Sequence, residues 1–152
     1  MNNYDNLKLD HQLCFALYAA THSITRAYRS ALDQAGITYT QYLVMLVLWE
    51  GDGISVGKIA RRLELDPATL TPMLKRLEAA DFIARERNLQ DERIVEITLT
   101  KMGKKLKHEI ARVQEGVQCQ TGLSHNDFIQ LRDSLHNLTE TMATSAEKKA
   151  AA

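Results

Sequence analysis

Two cysteines and several tyrosines are the residues of this sequence whose types and spacing could support chemistry. Cys14 falls near the start of a predicted helix, where the helix dipole favours the thiolate form of a cysteine. A thiolate is a nucleophile that attacks a peroxide O–O bond and becomes a sulfenic acid. The alternative is a small buried apolar residue packed beside Leu13 and Leu17. The residues alone leave both interpretations of Cys14 open.

The spacing of Cys14 and Tyr28 restricts which groups can act on that thiol. At about 100° per residue the two positions lie on nearly the same helix face, but they are about 21 Å apart along the axis. They cannot meet within one chain, so a phenol that contacts the thiol must come from a second subunit whose first helix packs antiparallel. Tyr18 lies one turn from Cys14, and we expect it to line the same pocket. The alternative for each tyrosine is packing in an amphipathic core.

The second cysteine, Cys119, follows Val117 by two residues and lies off the apolar stripe of its helix. We therefore expect it to be exposed, and an incidental surface thiol is the alternative. The five histidines have no metal-ligand spacing, and the sequence contains neither a His–carboxylate–nucleophile set nor a glycine-rich phosphate loop. We expect no metal and no cofactor.

Helical periodicity surrounds the first cysteine. Apolar residues three and four apart predict a helix that begins at Asp10, its N-cap, runs to about Gln34 and is closed by Gly36. Thr38 opens a capping box for a second helix over residues 39–50. This second helix is apolar on nearly all sides, which predicts a buried position.

Two short helices and a hairpin are predicted next. Ser55 caps the first helix, and Asp66-Pro67 opens the second with an N-cap aspartate and an N1 proline. A tight turn between them is typical of a helix-turn-helix. The apolar period then changes to two, so that residues 94–99 form a strand that can pair with residues 82–87. A helix-turn-helix followed at once by a charged hairpin predicts a winged helix.

The ends of the chain are expected to pair subunits. Thr100 begins a further helix, and Ser124 caps a last one whose apolar residues recur every three or four positions. The alternative is packing within one chain. The predicted fold is mainly α with a small β-hairpin wing (α+β), in a single domain over residues 1–152. It is a winged helix-turn-helix at about 54–99 with N- and C-terminal dimerisation helices at about 10–34 and 101–144.

Charge is distributed unevenly along a chain whose net charge is zero. Residues 58–107 hold 12 Lys/Arg against 8 Asp/Glu, a net of +4, whereas residues 1–57 and 108–152 each come to −2. A basic centre between acidic ends suits a protein that binds a polyanion through its centre. Ordinary scatter of surface charge is the alternative.

The outward positions of the second short helix are small, hydroxyl-bearing or basic. Small residues near its N-terminal end let the helix approach bases and phosphates closely, and backbone N–H groups there attract anions. Lys75 and Arg76 can reach phosphates or guanine edges. Pro72 removes a hydrogen bond to the carbonyl of Ala68, so a local bend is expected. The candidate DNA-contacting residues of this helix are Ala68, Thr69, Thr71, Pro72, Lys75 and Arg76.

Three arginines cluster in the hairpin at Arg85, Arg87 and Arg93. A hairpin with no role in DNA binding would not explain this cluster. Arg93 is placed to enter a minor groove, where narrow A·T tracts concentrate negative potential. Asp91 is placed to hold Arg93 in position.

The sequence resembles a known family at these motifs. The stretch LDPATLTPMLKRLEAADFIARERNLQDERIVEITLTKMG, residues 65–103, is similar to the recognition helix and wing of MarR-type transcriptional regulators, with Asp91-Glu92-Arg93 at the wing motif. The segments LDHQLCFALYAATHSITRAYR and ITYTQYLVMLVLWE resemble the OhrR-type repressors of the organic-hydroperoxide branch. The resemblance extends from residue 9 to about 143.

This resemblance implies a homodimeric repressor that binds a pseudo-palindromic double-stranded DNA operator. An organic hydroperoxide would oxidise Cys14 and release the DNA, and a cellular thiol reductant would restore binding. In OhrR-type proteins the matching tyrosines contact the sensing cysteine across the dimer, so Tyr28 and Tyr39 inherit that role. Cys119 resembles the second cysteine of the two-cysteine subgroup, which captures the oxidised sensor of the other subunit.

Composition and two rival functions complete these expectations. The N-terminus lacks the layout of a signal peptide, no apolar run approaches the ~20 residues of a membrane span, and two cysteines suit a reducing compartment. We expect a cytoplasmic protein with no membrane association. One rival is a MarR-type repressor released by a non-covalent phenolic or drug-like ligand. The other is a thiol peroxidase, which would leave the wing and reading helix unexplained, so we do not expect an enzyme.

Overall fold

The computed structural model describes residues 4–91 and 93–150. Two short 3-10 helices, Asp5–Leu7 and Leu9–His11, precede the main elements. In chain order these elements are α1 (Leu13–Ala35), α2 (Tyr39–Glu50), β1 (Ile54–Ser55), α3 (Val56–Leu63), α4 (Pro67–Ala79), β2 (Ile83–Arg87), β3 (Val95–Leu99), α5 (Lys101–Gln120) and α6 (His125–Ala150). The predicted order of helices and hairpin is confirmed.

The start of α1 differs from the prediction. Gln12, in an extended conformation, is the N-cap, and its side-chain amide donates to the backbone carbonyls of Asn6 and Lys8. Because Asp10 lies in the preceding 3-10 helix, its prediction as the N-cap of α1 is wrong. The end is as predicted: Gly36 has a left-handed φ of 73° and donates to the carbonyls of Leu32 and Asp33.

Helix α2 is the buried centre of the fold, as its apolar sequence predicts. The capping box is present, since Gln41 N–H donates to Thr38 Oγ1 while Thr38 N–H donates to Gln41 Oε1. Val44 and Met45 are fully buried, and Leu48 nearly so. The helix packs against α1, α3, α4 and β3, so it joins the first helix to the helix-turn-helix.

The sheet has three antiparallel strands in the order β1-β3-β2. The predicted hairpin pairs Ile83 with Leu99 and Arg87 with Val95. Strand β1 was not predicted, because two residues are too few to show an alternating pattern. It pairs Ile54 with Ile97 and so attaches the entry of the helix-turn-helix to the inner strand of the wing.

Two compact units divide the chain after Val117. The first holds the elements up to β3 and most of α5. The second contains the last turn of α5, a turn at Gly122 with φ 68°, and α6, which Ser124 caps by accepting from the N–H of Asp127 at 3.2 Å. Within residues 4–91 and 93–150, no helix is long and apolar enough to cross a bilayer.

Candidate DNA-reading surface and sensor cysteine

Helix α4 is oriented by three leucines on its inner face. Leu70, Leu74 and Leu77 are buried against the core, which turns the opposite face of the helix toward solvent. The helix begins as predicted, with Asp66 as N-cap and Pro67 in the first turn. Asp66 Oδ1 accepts from the N–H of Ala68 at 2.8 Å.

The candidate reading residues of α4 lie together on its outer face. Thr71 is half-buried and donates its hydroxyl to the carbonyl of Pro67 at 2.9 Å. The backbone N–H groups of Ala68 and Thr69 are engaged by Asp66, so attraction of a phosphate depends more on side chains than the sequence predicted. The exposed members are Ala68, Thr69, Pro72, Lys75 and Arg76.

Lys75 and Arg76 supply positive charge on this face. Neither forms an ion pair with a carboxylate among the described residues. Unpaired cations on an outward helix face can neutralise phosphates and release counterions from DNA. This arrangement suits a recognition helix in a major groove.

The tip of the wing is built by Asn88 and Asp91. Asn88 Oδ1 accepts from the N–H groups of Gln90 and Asp91, and its amide nitrogen donates to Glu96 Oε1 at 2.6 Å. Asp91 Oδ1 accepts from the backbone N–H of Arg93 at 3.0 Å. Asp91 therefore fixes the backbone from which the exposed Arg93 side chain extends. Glu92, the middle residue of the motif, lies outside the described residues.

The other two wing arginines have different environments. Arg87 is exposed at the end of β2. Arg85 is half-buried, and its Nη1 lies 3.7 Å from Glu78 Oε2 at the end of α4. Arg85 Nε is buried without a hydrogen-bond partner among the described groups. Arg85 thus braces the wing against the reading helix, whereas Arg87 and Arg93 point toward solvent.

Sequence reasoning missed Asp52, one of the residues that join the wing to the body of the protein. Asp52 Oδ1 accepts from the N–H of Leu99 at 2.7 Å, and its other oxygen lies 3.5 Å from Lys104 Nζ. The partners are 47 and 52 positions away, so local patterns could not reveal them. The glycines on either side of Asp52, Gly51 and Gly53, are the local sign that the chain forms a loop here.

Cys14 lies in the first turn of α1 and is exposed. Its neighbours Leu13 and Tyr18 are about 60% exposed, so the interpretation of Cys14 as a buried apolar residue does not hold within one chain. The rings of Tyr18 and His22 are in tilted contact, with centroids 4.3 Å apart and an interplanar angle of 53°.

Tyr28 and Tyr39 lie in one aromatic cluster with Tyr42. The ring centroids are 5.3 Å apart for Tyr28 and Tyr42, 5.7 Å for Tyr28 and Tyr39, and 5.8 Å for Tyr39 and Tyr42. Sequence reasoning placed Tyr42 only in the apolar run of α2. Its position three residues after Tyr39, on the same helix face, was the available signal.

Burial raises the pKa of Tyr42 well above its usual value of 10, and the adjacent Tyr28 phenol raises it further. Burial also raises the pKa of Tyr39, with Tyr28 again contributing. These two phenols therefore stay protonated at neutral pH and remain available as hydrogen-bond donors.

The structure keeps the cluster away from Cys14 within one chain. Cys14 and Tyr28 occupy opposite parts of one uninterrupted helix, α1, with about 21 Å of axial rise between them. Cys119 belongs to the second unit, where it is exposed in the last turn of α5 and its carbonyl accepts from Gly122 N–H. The described residues contain no His/Cys/Asp/Glu group that could hold a metal ion.

Comparison with known proteins identifies the family. The profile of the SarA/Rot transcriptional regulators matches residues 26–110. The organic hydroperoxide resistance transcriptional regulator of Bacillus subtilis (strain 168) is 43% identical over 141 residues, which cover 93% of this chain and 96% of that protein. The structure of reduced AbfR bound to DNA has a TM-score of 0.77 at 35% identity, covering 95% of this chain and 98% of the other.

A second AbfR structure, described as disulfide-formed, has a TM-score of 0.63 at 35% identity, covering 94% of this chain and 95% of the other. The winged helix, the exposed basic face of α4 and these relatives all indicate a DNA-binding transcriptional regulator. The chain belongs to the SarA/Rot family of MarR-like winged-helix transcriptional regulators, of the type represented by the organic hydroperoxide resistance regulator.

Proposed function

We propose that this regulator represses transcription as a homodimer and releases its operator when an organic hydroperoxide oxidises Cys14. The observation that carries the proposal is the position of an exposed thiol in the first turn of α1, together with a phenol cluster formed by Tyr28 in the second half of that helix and Tyr39 and Tyr42 on α2. Antiparallel pairing of two α1 helices would bring Cys14 of each subunit to Tyr28 and Tyr39 of the other. Association of two subunits would also cover apolar side chains that are exposed in the single chain.

Two terminal helices carry those apolar side chains. On α1, Leu13 is 60% and Ile24 41% exposed; on α6, Leu131 is 51% and Met142 65% exposed. Removing this surface from water would favour association of two subunits. A dimer also presents two reading helices, which matches an operator with two half-sites about one helical turn apart.

The sensing step is a nucleophilic displacement. The Cys14 thiolate attacks one peroxide oxygen, an S–O bond forms, and the O–O bond breaks. The sulfur is oxidised by two electrons to a sulfenic acid, and the departing alkoxide takes a proton and leaves as an alcohol. Phenols of the partner would orient the peroxide and donate to the developing alkoxide.

We propose that Cys119 of the other subunit then attacks the sulfenic acid. A disulfide forms and water leaves, with the Cys119 thiol supplying the second sulfur. Because a disulfide requires Cα atoms within about 7 Å, its formation would constrain the helices that carry the two cysteines and displace the reading helices. A cellular dithiol would reverse the step by thiol–disulfide exchange. The relative described as disulfide-formed AbfR supports this route.

A non-reducing gel after treatment with cumene hydroperoxide tests the disulfide. Wild type should run as a covalent dimer that dithiothreitol reduces to monomers. Cys14→Ser and Cys119→Ser should both run as monomers without reductant. Mass spectrometry should find irreversible sulfinic acid at Cys14 mainly in Cys119→Ser. A covalent dimer in Cys119→Ser would remove Cys119 from the mechanism.

A further inference from the structure

The phenol cluster continues along α2 to the one tryptophan of the sequence. Tyr28 and Tyr39 contact Tyr42, and the ring of Tyr42 contacts the ring of Trp49, with centroids 6.4 Å apart. Tyr42 is buried and Trp49 is half-buried. Because protein interiors are close-packed, a displacement of the first two phenols moves the rings that follow them.

Trp49 is bonded to α5 through two different groups. Its indole N–H donates to the carbonyl oxygen of Gly103 at 2.9 Å, and its backbone carbonyl accepts from Lys107 Nζ at 3.2 Å. The first bond depends on where the indole ring lies, whereas the second depends on the backbone of α2. Only the first bond can therefore transmit a movement of the ring to α5.

The first turn of α5 is joined to the base of the wing. Thr100, which follows β3, donates its N–H to the carbonyl of Phe82, which precedes β2, at 3.1 Å. The Thr100 hydroxyl donates to the carbonyl of Asp81 and accepts from the N–H of Gly103 at 3.0 Å. Gly103 also lies so close to the Phe82 carbonyl that a Cβ would collide with it. A shift of Gly103 therefore displaces both strands of the wing at their base.

This series of contacts belongs to one body and to one redox state. All of its residues precede Val117 and lie in the first compact unit. Both cysteines are free, so the bond from Trp49 to Gly103 is a feature of the reduced chain. The wing strands have five residues each, which is ~17 Å of length, so a small rotation at the base moves Arg93 at the tip by more.

We infer that Trp49 is a positioning residue that couples the state of the thiol to the wing. Its bond to Gly103 holds the wing in the position that reads DNA, and the bond is lost when oxidation displaces the phenols. The inference rests on the proposed function, because oxidation of Cys14 of the partner subunit is what moves the phenols. Trp49 itself undergoes no covalent change and contacts neither the peroxide nor the DNA.

Trp49→Phe tests the coupling because it keeps an aromatic ring and removes the donor. Operator affinity is measured by fluorescence anisotropy for the reduced protein and for the protein oxidised with cumene hydroperoxide, at a salt concentration low enough for the oxidised protein to bind. The reduced variant should bind about three- to tenfold more weakly than reduced wild type, as expected for one lost hydrogen bond. The two oxidised proteins should bind equally, so the ratio of the two affinities falls by the same factor.

Two variants are the matched controls. Lys107→Met removes the other bond between Trp49 and α5 and leaves the indole in place. Ile110→Val removes one methylene from a buried residue of α5 and lowers stability slightly. Both should keep the wild-type ratio of reduced to oxidised affinity. The rate of loss of the Cys14 thiol, measured by alkylation and mass spectrometry, should equal the wild-type rate in all three variants.

The fluorescence of Trp49 supplies a readout that needs no substitution at the bond. As the one tryptophan of the sequence, it can be excited selectively at the red edge of the aromatic absorption band. Its emission in wild type should change with the same time course as the loss of operator affinity and recover after dithiothreitol. The emission of Cys14→Ser should not change on treatment with the peroxide.

Three outcomes would overturn the inference and leave the proposed function intact. If Trp49→Phe weakened binding equally in the reduced and oxidised states, Trp49 would support the fold and not the coupling. If both affinities stayed at their wild-type values, the signal would instead pass through the packing of α2 on α3, α4 and β3. The third is an unchanged emission from wild type that has released the operator. Oxidised wild type that kept the operator would refute the proposed function itself.

Discussion

Trp49 donates its indole N–H to the carbonyl oxygen of Gly103 at 2.9 Å, which joins the end of α2 to the first turn of α5. Gly103 also lies close to the backbone of Phe82, because a Cβ on Gly103 would collide with the carbonyl oxygen of Phe82. The glycine therefore allows α5 to pack where the hairpin begins, and the wing and the phenol-bearing helix α2 share one anchoring point.

Gly103→Ala should destabilise the protein by about 1–3 kcal/mol, because backbone must move to accommodate the methyl group. Urea unfolding monitored by circular dichroism measures the loss. Gly116→Ala on the same helix is the matched control: nothing lies within 4 Å of its Cβ position, and alanine should stabilise the helix by up to ~1 kcal/mol. Equal effects at the two positions would contradict the role given to Gly103.

Stability should fall at alkaline pH because of the buried phenols. The pKa of Tyr42 is raised in the folded state, so its contribution to the free energy of unfolding is fully present below pH 10, where the unfolded phenol titrates. That contribution is lost as the pH rises toward the folded pKa. Urea midpoints between pH 8 and 11 should therefore decline, and the decline should be smaller in Tyr42→Phe. Identical slopes in wild type and Tyr42→Phe would contradict the assignment.

Arg93→Ala should weaken operator binding about tenfold without unfolding the dimer, because Asp91 fixes the backbone that presents this side chain. Lys75→Ala should lower the slope of log K against log salt by about 1 for the lost phosphate contact. Fluorescence anisotropy at several salt concentrations measures both effects. Arg132→Ala, an exposed arginine of α6 paired with Asp133, is the control. If both test variants kept the wild-type affinity and the wild-type salt dependence, the assignment of this surface to DNA binding would be wrong.

Tyr28→Phe and Tyr39→Phe should bind DNA with wild-type affinity. Their Cys14 thiol should be oxidised by hydroperoxide about three- to tenfold more slowly, as expected for one lost hydrogen bond. Tyr4→Phe, which changes an exposed tyrosine outside the phenol cluster, should react as wild type. Unaltered oxidation rates in both cluster variants would exclude the phenols from the mechanism.

Local patterns predicted most of the fold. The box at Thr38, the cap at Asp66 and the left-handed Gly36 depend on residues within a few positions of each other, and the structure contains all three. The prediction of Asp10 as the N-cap of α1 was wrong because the Gln12 side chain donates to the preceding carbonyls and α1 begins after Gln12 instead. Helical periodicity does not reveal such contacts.

The candidate site was less accessible from the sequence. The exposed face of α4 followed from the leucine stripe opposite it. The pairing of Arg85 with Glu78 and of Asp52 with Leu99 depends on tertiary contacts, as does the third phenol, Tyr42. Spacing along α1 did establish that Cys14 and Tyr28 are apart in one chain, because helix geometry alone fixes that distance.

The most direct test of the account is the effect of cumene hydroperoxide on the complex with a fluorescent duplex from the promoter beside the protein's own gene. Anisotropy should show that reduced wild type and Cys14→Ser bind the duplex with equal affinity. On adding the peroxide, wild type should release the duplex and rebind it after dithiothreitol, whereas Cys14→Ser should stay bound throughout. Release from Cys14→Ser at the wild-type rate would contradict the claim that oxidation of this thiol controls DNA binding.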